Sequence, residues 1–412
     1  MYGIPVLSAI VYVSLLSLLM EFSQKQSPLP RTPAVALAIG LWFSTILSHI
    51  AHLYFQGVLN TLPETFRPSL FLILMLTTVD RPSRVRWVII VFVLGAVMMS
   101  IHCLMQQRLG YGFGGMEPLV YWDQNRGGLL VRSQFVGIFG DPNDTGQMLA
   151  AAIPLVLAIP KQITVFSTMV CAGIMALLLM GVNSTGSRGA QIALYAVVYA
   201  MILWKMPVRW MPYLAVAGLI GGLVMCGIMG KGMLDASARE RVVFWGNANQ
   251  LFKHNPIFGV GYGMFWMAVE GDRAAHNAFV SCYTELGLVG YWCWFSLLQL
   301  GIIGCWRTRV AIKRPRTKEQ AYMRRVAGMS MAAMIGFATG GYFLSRAWAY
   351  PFFFLFALLS AIPLIVQRLL PEDAPPLIRA STDVLGMGTF STFVSVVYIY
   401  ISILILNKAY GG

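Results

Sequence analysis

Apolar runs long enough to cross a bilayer recur along this chain from end to end, and they constrain its fold more than any other feature. Broken at charges and Pro/Gly clusters, the sequence yields about twelve such segments: 4–20, 33–55, 62–79, 86–105, 144–160, 162–182, 188–204, 211–230, 276–305, 326–344, 348–366 and 386–406. Each is near the ~20 residues a helix needs to span the hydrocarbon core. The 412 residues are 58% hydrophobic and 11% charged, against about 25% charge in a soluble domain. No water-soluble core can hide that much apolar surface. The runs are continuous, which predicts helices and not the ~10-residue alternating strands of a membrane barrel. The expectation is an all-α integral membrane protein: one polytopic domain over 1–412, about twelve transmembrane helices, the lipid bilayer its solvent.

The net charge of +14 is explained by topology and not by nucleic acid. Cytoplasmic loops of membrane proteins collect Lys and Arg, and the run Arg307 to Arg325 holds eight of them. Alternating outward from that run puts two long loops, 106–144 and 231–275, on the opposite side, away from the cytoplasm. Connections this long usually have a function. Both are rich in Gly and aromatic residues, among them Tyr262, as suits a lid at the membrane interface. The larger loop is expected to carry lid and active site. The run from Met1 to Met20 lacks a basic leader and reads as a retained span, not a signal peptide. The six cysteines sit in or beside apolar runs without CxxC spacing, so neither a metal site nor a disulfide framework is indicated.

Four stretches carry candidate chemistry. In HNAFVSCYTELGLVGY, His276 opens an apolar helix and is followed by Asn277. The positive end of a helix disfavours an imidazolium, and a neutral imidazole suits a general base; a helix cap or interface anchor is the equal alternative. In NSTGSRGAQIALY, Arg188 follows a Ser/Thr/Gly turn. Exposed backbone N–H groups, hydroxyls and a bidentate guanidinium make an anion cradle; an arginine snorkelling to the headgroups is the competing fate. In SARERVVFW, Arg241 stands in an outer loop, beyond the reach of the positive-inside trend. It is a phosphate ligand or a charge paired with Asp235 or Glu240. In VRSQFVGIFGDPND, Arg132 is a further anion ligand, while Asp144 reads as a turn and helix N-cap. His49, His52, His102 and His254 read as packing or interface residues, and Arg346 as an interface anchor, with a place on the wall of the active cavity as the alternative.

The chain resembles the O-antigen ligase and polymerase family. The ligase pattern of His, then Asn, nine residues, Gly, two residues and Gly is met by His276, Asn277, Gly287 and Gly290, followed by Tyr291. A companion pattern, Arg with Leu four positions on, is met by Arg188 with Ile192 in place of Leu. The run from Arg241 through Trp245 to NPIFGVGYG resembles the family's loop before the histidine. FGDPND resembles its Pro-Asn helix start. The similarity extends from about Arg132 to Gly290.

The resemblance implies a GT-C-like membrane fold and a cofactor-free, metal-independent, inverting glycosyl transfer on the periplasmic face of a bacterial inner membrane. The implied donor is a glycan on undecaprenyl diphosphate, the leading acceptor lipid A–core sugar. His276 is the implied catalytic base. Arg188, Arg241 and Arg132 are the implied diphosphate ligands, with Asn277 and Tyr262 in support. A polymerase extending another glycan, a protein O-oligosaccharyltransferase and, from a different class, a lipid-linked glycan transporter are the competing readings.

Overall fold

The computed structural model describes residues 30–123, 127–210, 236–268 and 274–410, with isolated positions within 13–20 and 213–220. The spans expected at 4–20 and 211–230 lie outside the described residues, as does Asp235. Among the described residues the protein is helical apart from one hairpin. The helices are α1 (Pro33–Ile50), α2 (Phe55–Thr78), α3 (Pro82–Leu109), α4 (Pro142–Val156), α5 (Val165–Ser184), α6 (Arg188–Leu203), α7 (Ala236–His254), α8 (Ala278–Ala311), α9 (Lys318–Gly341), α10 (Tyr350–Gln367) and α11 (Thr389–Tyr410). The hairpin pairs β1 (Leu119–Asp123) with β2 (Gly128–Arg132), Leu119 opposite Arg132.

Helix starts follow the local chemistry of the chain. Asp141 caps α4 by accepting from the Asn143 N–H at 2.6 Å, with Pro142 at the first helical position. Thr164 and Ser167 form a reciprocal capping box at α5. Ser187 caps α6 and Thr317 caps α9 through side-chain oxygens. Each such cap satisfies N–H groups that a helix start leaves open, worth about 1 kcal/mol apiece.

Burial sorts the helices into a centre and a periphery. The central helix is α10, hydrophobic all round and 83% buried along its apolar window, as a fully enclosed helix must be. It packs against α8, α2 and α9. The peripheral α5 is only 22% buried and turns Val165, Phe166 and Met169 outward. Small residues set the close approaches: a Cβ on Gly336 would meet Val197 of α6 at 2.2 Å, and one on Gly301 would meet Leu359 of α10 at 2.7 Å. Such small-residue contacts replace hydrophobic drive inside a bilayer.

Six helices among the described residues are long and apolar enough to cross a membrane: α1, α3, α5, α8, α10 and the stretch Ala380–Lys408. Four further expected segments correspond to α2, α4, α6 and α9. Glu64 and Arg67 in α2, the fifteen residues of α4, the sixteen of α6 and the basic start of α9 set these apart. The stretch expected as the large outer loop contains a nineteen-residue helix, α7.

The longest helix, α8, is broken. At Gly287 the backbone turns to φ 63°, ψ −165°, a region open essentially to glycine alone. The loop from Pro256 to Gly261 docks into the break. Val260 N–H donates to Thr284 O at 2.9 Å and Gly261 N–H to Glu285 O at 3.0 Å; Leu288 N–H donates to Pro256 O at 2.8 Å and Val289 N–H to Ile257 O at 3.2 Å. Peptide groups that α8 cannot satisfy internally are thus met by the loop, as an apolar surrounding requires. A Cβ at Gly287 would fall 2.3 Å from Ile257 O.

Candidate functional site

Arg188 is the first residue of α6, directly after its cap Ser187. The turn before it is held by a compact network. Ser187 Oγ donates to Asn143 Oδ1 at 2.7 Å and accepts from Ala190 N–H at 3.1 Å. Asn143 belongs to the first turn of α4. Arg132, the last residue of β2, donates from Nε to Thr185 O at 2.8 Å and from a terminal nitrogen to the same Asn143 Oδ1 at 2.8 Å. A strand end, two helix starts and one turn thereby fix one another. Arg132 bonds neutral acceptors here, so its positive charge is not cancelled by them.

Arg132, Arg188 and Arg241 line one cavity of ≈ 940 Å³, together with Asn143, Asn183 and Gln191. No Asp or Glu is among the described residues lining it. Three arginines drawn from β2, α6 and α7 therefore face a common space. Guanidinium forks with exposed amides are the chemistry that grips phosphate oxygens.

His276 does not line this cavity. It is the residue before the α8 cap, Asn277, whose side chain accepts from Phe279 N–H at 3.0 Å and Val280 N–H at 3.2 Å. Capping is therefore the work of Asn277. His276 is half-buried in the left-handed region at φ +50°, a conformation that costs an L-residue roughly 1–2 kcal/mol. Such strain is held only where surrounding structure over-determines it. Next door, Ala275 O accepts from Trp245 Nε1 at 2.7 Å. Trp245 stands one turn after Arg241 on α7, which ties the histidine's neighbour to the arginine's helix. Tyr342 packs edge-on against Trp245 at 5.6 Å and beside Phe343 at 6.1 Å, and Phe343 lines the arginine cavity.

On the other flank, Ala274 and Ala275 line a second cavity of ≈ 620 Å³. Its walls are different in kind: Glu64, Asp144 and Glu285 supply carboxyl groups, while Tyr262, Trp266, Trp348 and Tyr350 supply rings. Asp144, only 5% exposed, takes two bonds on Oδ2 from Arg346, at 2.9 Å from Nε and 2.8 Å from a terminal nitrogen. Its Oδ1 is buried without a partner among the described residues. Asp144 is thus not the cap of α4, which Asp141 provides, and Arg346 pairs with it at the wall of a cavity. Tyr262 also lines this second cavity and not the arginine one. Its ring meets Trp348 edge-on at 5.2 Å, and burial, with Glu285 and Glu64 nearby, pushes its phenol well above the ordinary range. It therefore stays protonated.

Two of the remaining histidines hold structure, while both ring nitrogens of the buried His49 have no hydrogen-bond partner among the described residues. His52 Nε2 bonds Gly259 O at 2.8 Å and so fastens the loop in the α8 break. His102 Nδ1 accepts from Phe113 N–H at 2.9 Å. His254 is exposed at the end of α7. The signal that sequence reading left unused was the acidic residue within an apolar helix: Glu285 and Asp144 are expensive there and mark a lined cavity. Pairing Asp144 with Arg346 needed the fold, because the two stand 202 positions apart.

Residues 173–295 match the family model for O-antigen ligase. No curated protein matches the chain. The matched segment is under half of the sequence. It runs from α5 through the break in α8 and so includes Arg188, Arg241 and His276, with Arg132 outside it.

Proposed function

We propose that this chain, a member of the O-antigen ligase family by its segment 173–295, transfers a glycan from undecaprenyl diphosphate to an acceptor hydroxyl on the periplasmic face of a bacterial inner membrane. The observation that carries the reading is the convergence of Arg132, Arg188 and Arg241 on one cavity that no described carboxylate lines. In this reading the donor's diphosphate occupies that cavity. His276 takes the proton from the acceptor hydroxyl, whose oxygen attacks the anomeric carbon from the face opposite the diphosphate. The bond from the anomeric carbon to the phosphate oxygen breaks, its electron pair leaves with undecaprenyl diphosphate, and the configuration inverts. The arginines stabilise the charge that develops on the leaving group, usually the largest electrostatic contribution.

The second cavity suits the acceptor. Rings stack on sugar faces and carboxyl groups accept sugar hydroxyls, while the same carboxyl groups offer nothing to a diphosphate. The walls thus favour a sugar acceptor, lipid A–core in first place and a second glycan chain in the next. The test is a purified assay with a lipid-diphosphate glycan and, in turn, lipid A–core, a free glycan and a Ser/Thr-bearing protein. Transfer to a sugar acceptor is expected. Movement of the donor across vesicles with no transfer to any acceptor would sink the reading in favour of a transporter.

A further inference from the structure

A third cavity lies at the other ends of the same two helices that carry the arginine site. The arginine cavity is lined by Met180, Asn183 and Ser184 from the end of α5 and by Arg188 and Gln191 from the start of α6. The third, ≈ 1090 Å³, is lined by Ser167 and Cys171 from the start of α5 and by Val198 and Ile202 from the end of α6. The sixteen residues of α6 make the separation about 24 Å. This is the end that bears the basic run, which the positive-inside trend assigns to the cytoplasm.

Four cations line it, Lys205, Arg309, Arg324 and Arg325, with no Asp or Glu among the described lining residues. Two of them are held in place. Arg309, only 8% exposed, lies over the rings of Trp204 at 5.2 Å and Trp306 at 4.9 Å and donates to Leu203 O and Met206 O. Arg325 donates to Pro160 O and lies over Tyr322 at 5.6 Å. The Nε donors of Arg324 and Arg325 are buried and have no partner among the described residues. Below the cations the wall is apolar, and Ile163, Val198 and Ile202 open it toward the surroundings of the bundle.

We infer that this groove is a binding site for an anionic phospholipid, with the phosphate on Arg324, Arg325 and Lys205 and the acyl chains along α5 and α6. Two features decide for a lipid over a soluble anion. The cations cluster where α6 and α8 end and α9 begins, and the rest of the groove, Ser167 and Thr168 apart, is apolar and open to the side. Basic pockets between membrane helices on the cytoplasmic side bind acidic headgroups in this way. The inference is independent of the transfer reaction and of His276.

The full-length protein, purified in detergent, is titrated with phosphatidylglycerol, phosphatidylcholine or inorganic phosphate. Retained lipid is read by native mass spectrometry and stabilisation by thermal melting. Phosphatidylglycerol is expected to be retained and to raise the melting temperature, phosphatidylcholine and inorganic phosphate to do neither. Arg324→Gln/Arg325→Gln is expected to weaken retention roughly tenfold or more. Should that variant fail to fold, the exposed Lys205→Glu serves instead, with a several-fold loss expected. Equal retention of the two lipids, a variant that keeps wild-type retention, or stabilisation by inorganic phosphate equal to that by phosphatidylglycerol would each overturn the inference.

Discussion

The two ends of α6 are both basic, yet their side-chain surroundings differ. At Arg188 the neighbours are hydroxyls, amides and backbone carbonyls, bound into a network by Ser187 and Asn143. At the far end the arginines lie on indole and phenol rings above an apolar wall. The first setting suits a hydrated, multiply charged head that must be aligned for reaction. The second suits a single phosphate on a greasy tail that need only be retained. Charge alone separates neither from a topology signal; the company each guanidinium keeps does.

Substitutions can break this comparison in order of expected size. His276→Ala should lower transfer by about 10³-fold or more while the protein still inserts and melts normally, read as turnover with a lipid-diphosphate donor. Arg188→Lys should cost about 10²-fold in turnover, because a point charge does not replace a planar fork aimed at the leaving group. Ser187→Ala removes the cap of α6 and one bond to Asn143. A stability loss of about 1 kcal/mol should appear in thermal melts, along with a raised KM for the donor. Arg324→Gln/Arg325→Gln, at the other end, should leave transfer per folded molecule in phosphatidylcholine unchanged. A large loss there would mean that the two ends are one functional unit and would collapse the distinction.

Much of this was legible in residues near one another in the chain. The membrane class followed from run length alone. The histidine stretch stood out because polar residues opened an apolar helix, Arg188 because it followed a Ser/Thr/Gly turn, and Arg241 because the positive-inside trend did not explain it. What the chain concealed were pairings over long separations. Asp144 looked like a cap because Asx residues before a helix usually are; its real partner, Arg346, is 202 positions away. Tyr262 was expected among the phosphate ligands' supports and lies across Ala275, with the acidic cavity. The break in α8 was hidden because glycine within an apolar run reads as continued helix. Only the approach of Ile257 shows why residue 287 must lack a side chain. The same contact gives the glycine end of the His-to-Gly spacing a physical basis, because Gly287 is the docking seam.

That seam has a consequence for the entropy of His276. His276 has a fixed neighbour before it, the Ala275 carbonyl on Trp245. Behind it, the first turns of α8 end where the loop from Pro256 is stitched in by four backbone bonds. The backbone is therefore fixed on both sides of His276 before any substrate arrives. Conformational freedom that a mobile loop would surrender on each turnover has already been surrendered once, in folding. An extension or cut in the stretch between Gly261 and Ala275 should cost rate through disorder of a single imidazole, even where every residue that touches the glycan is intact.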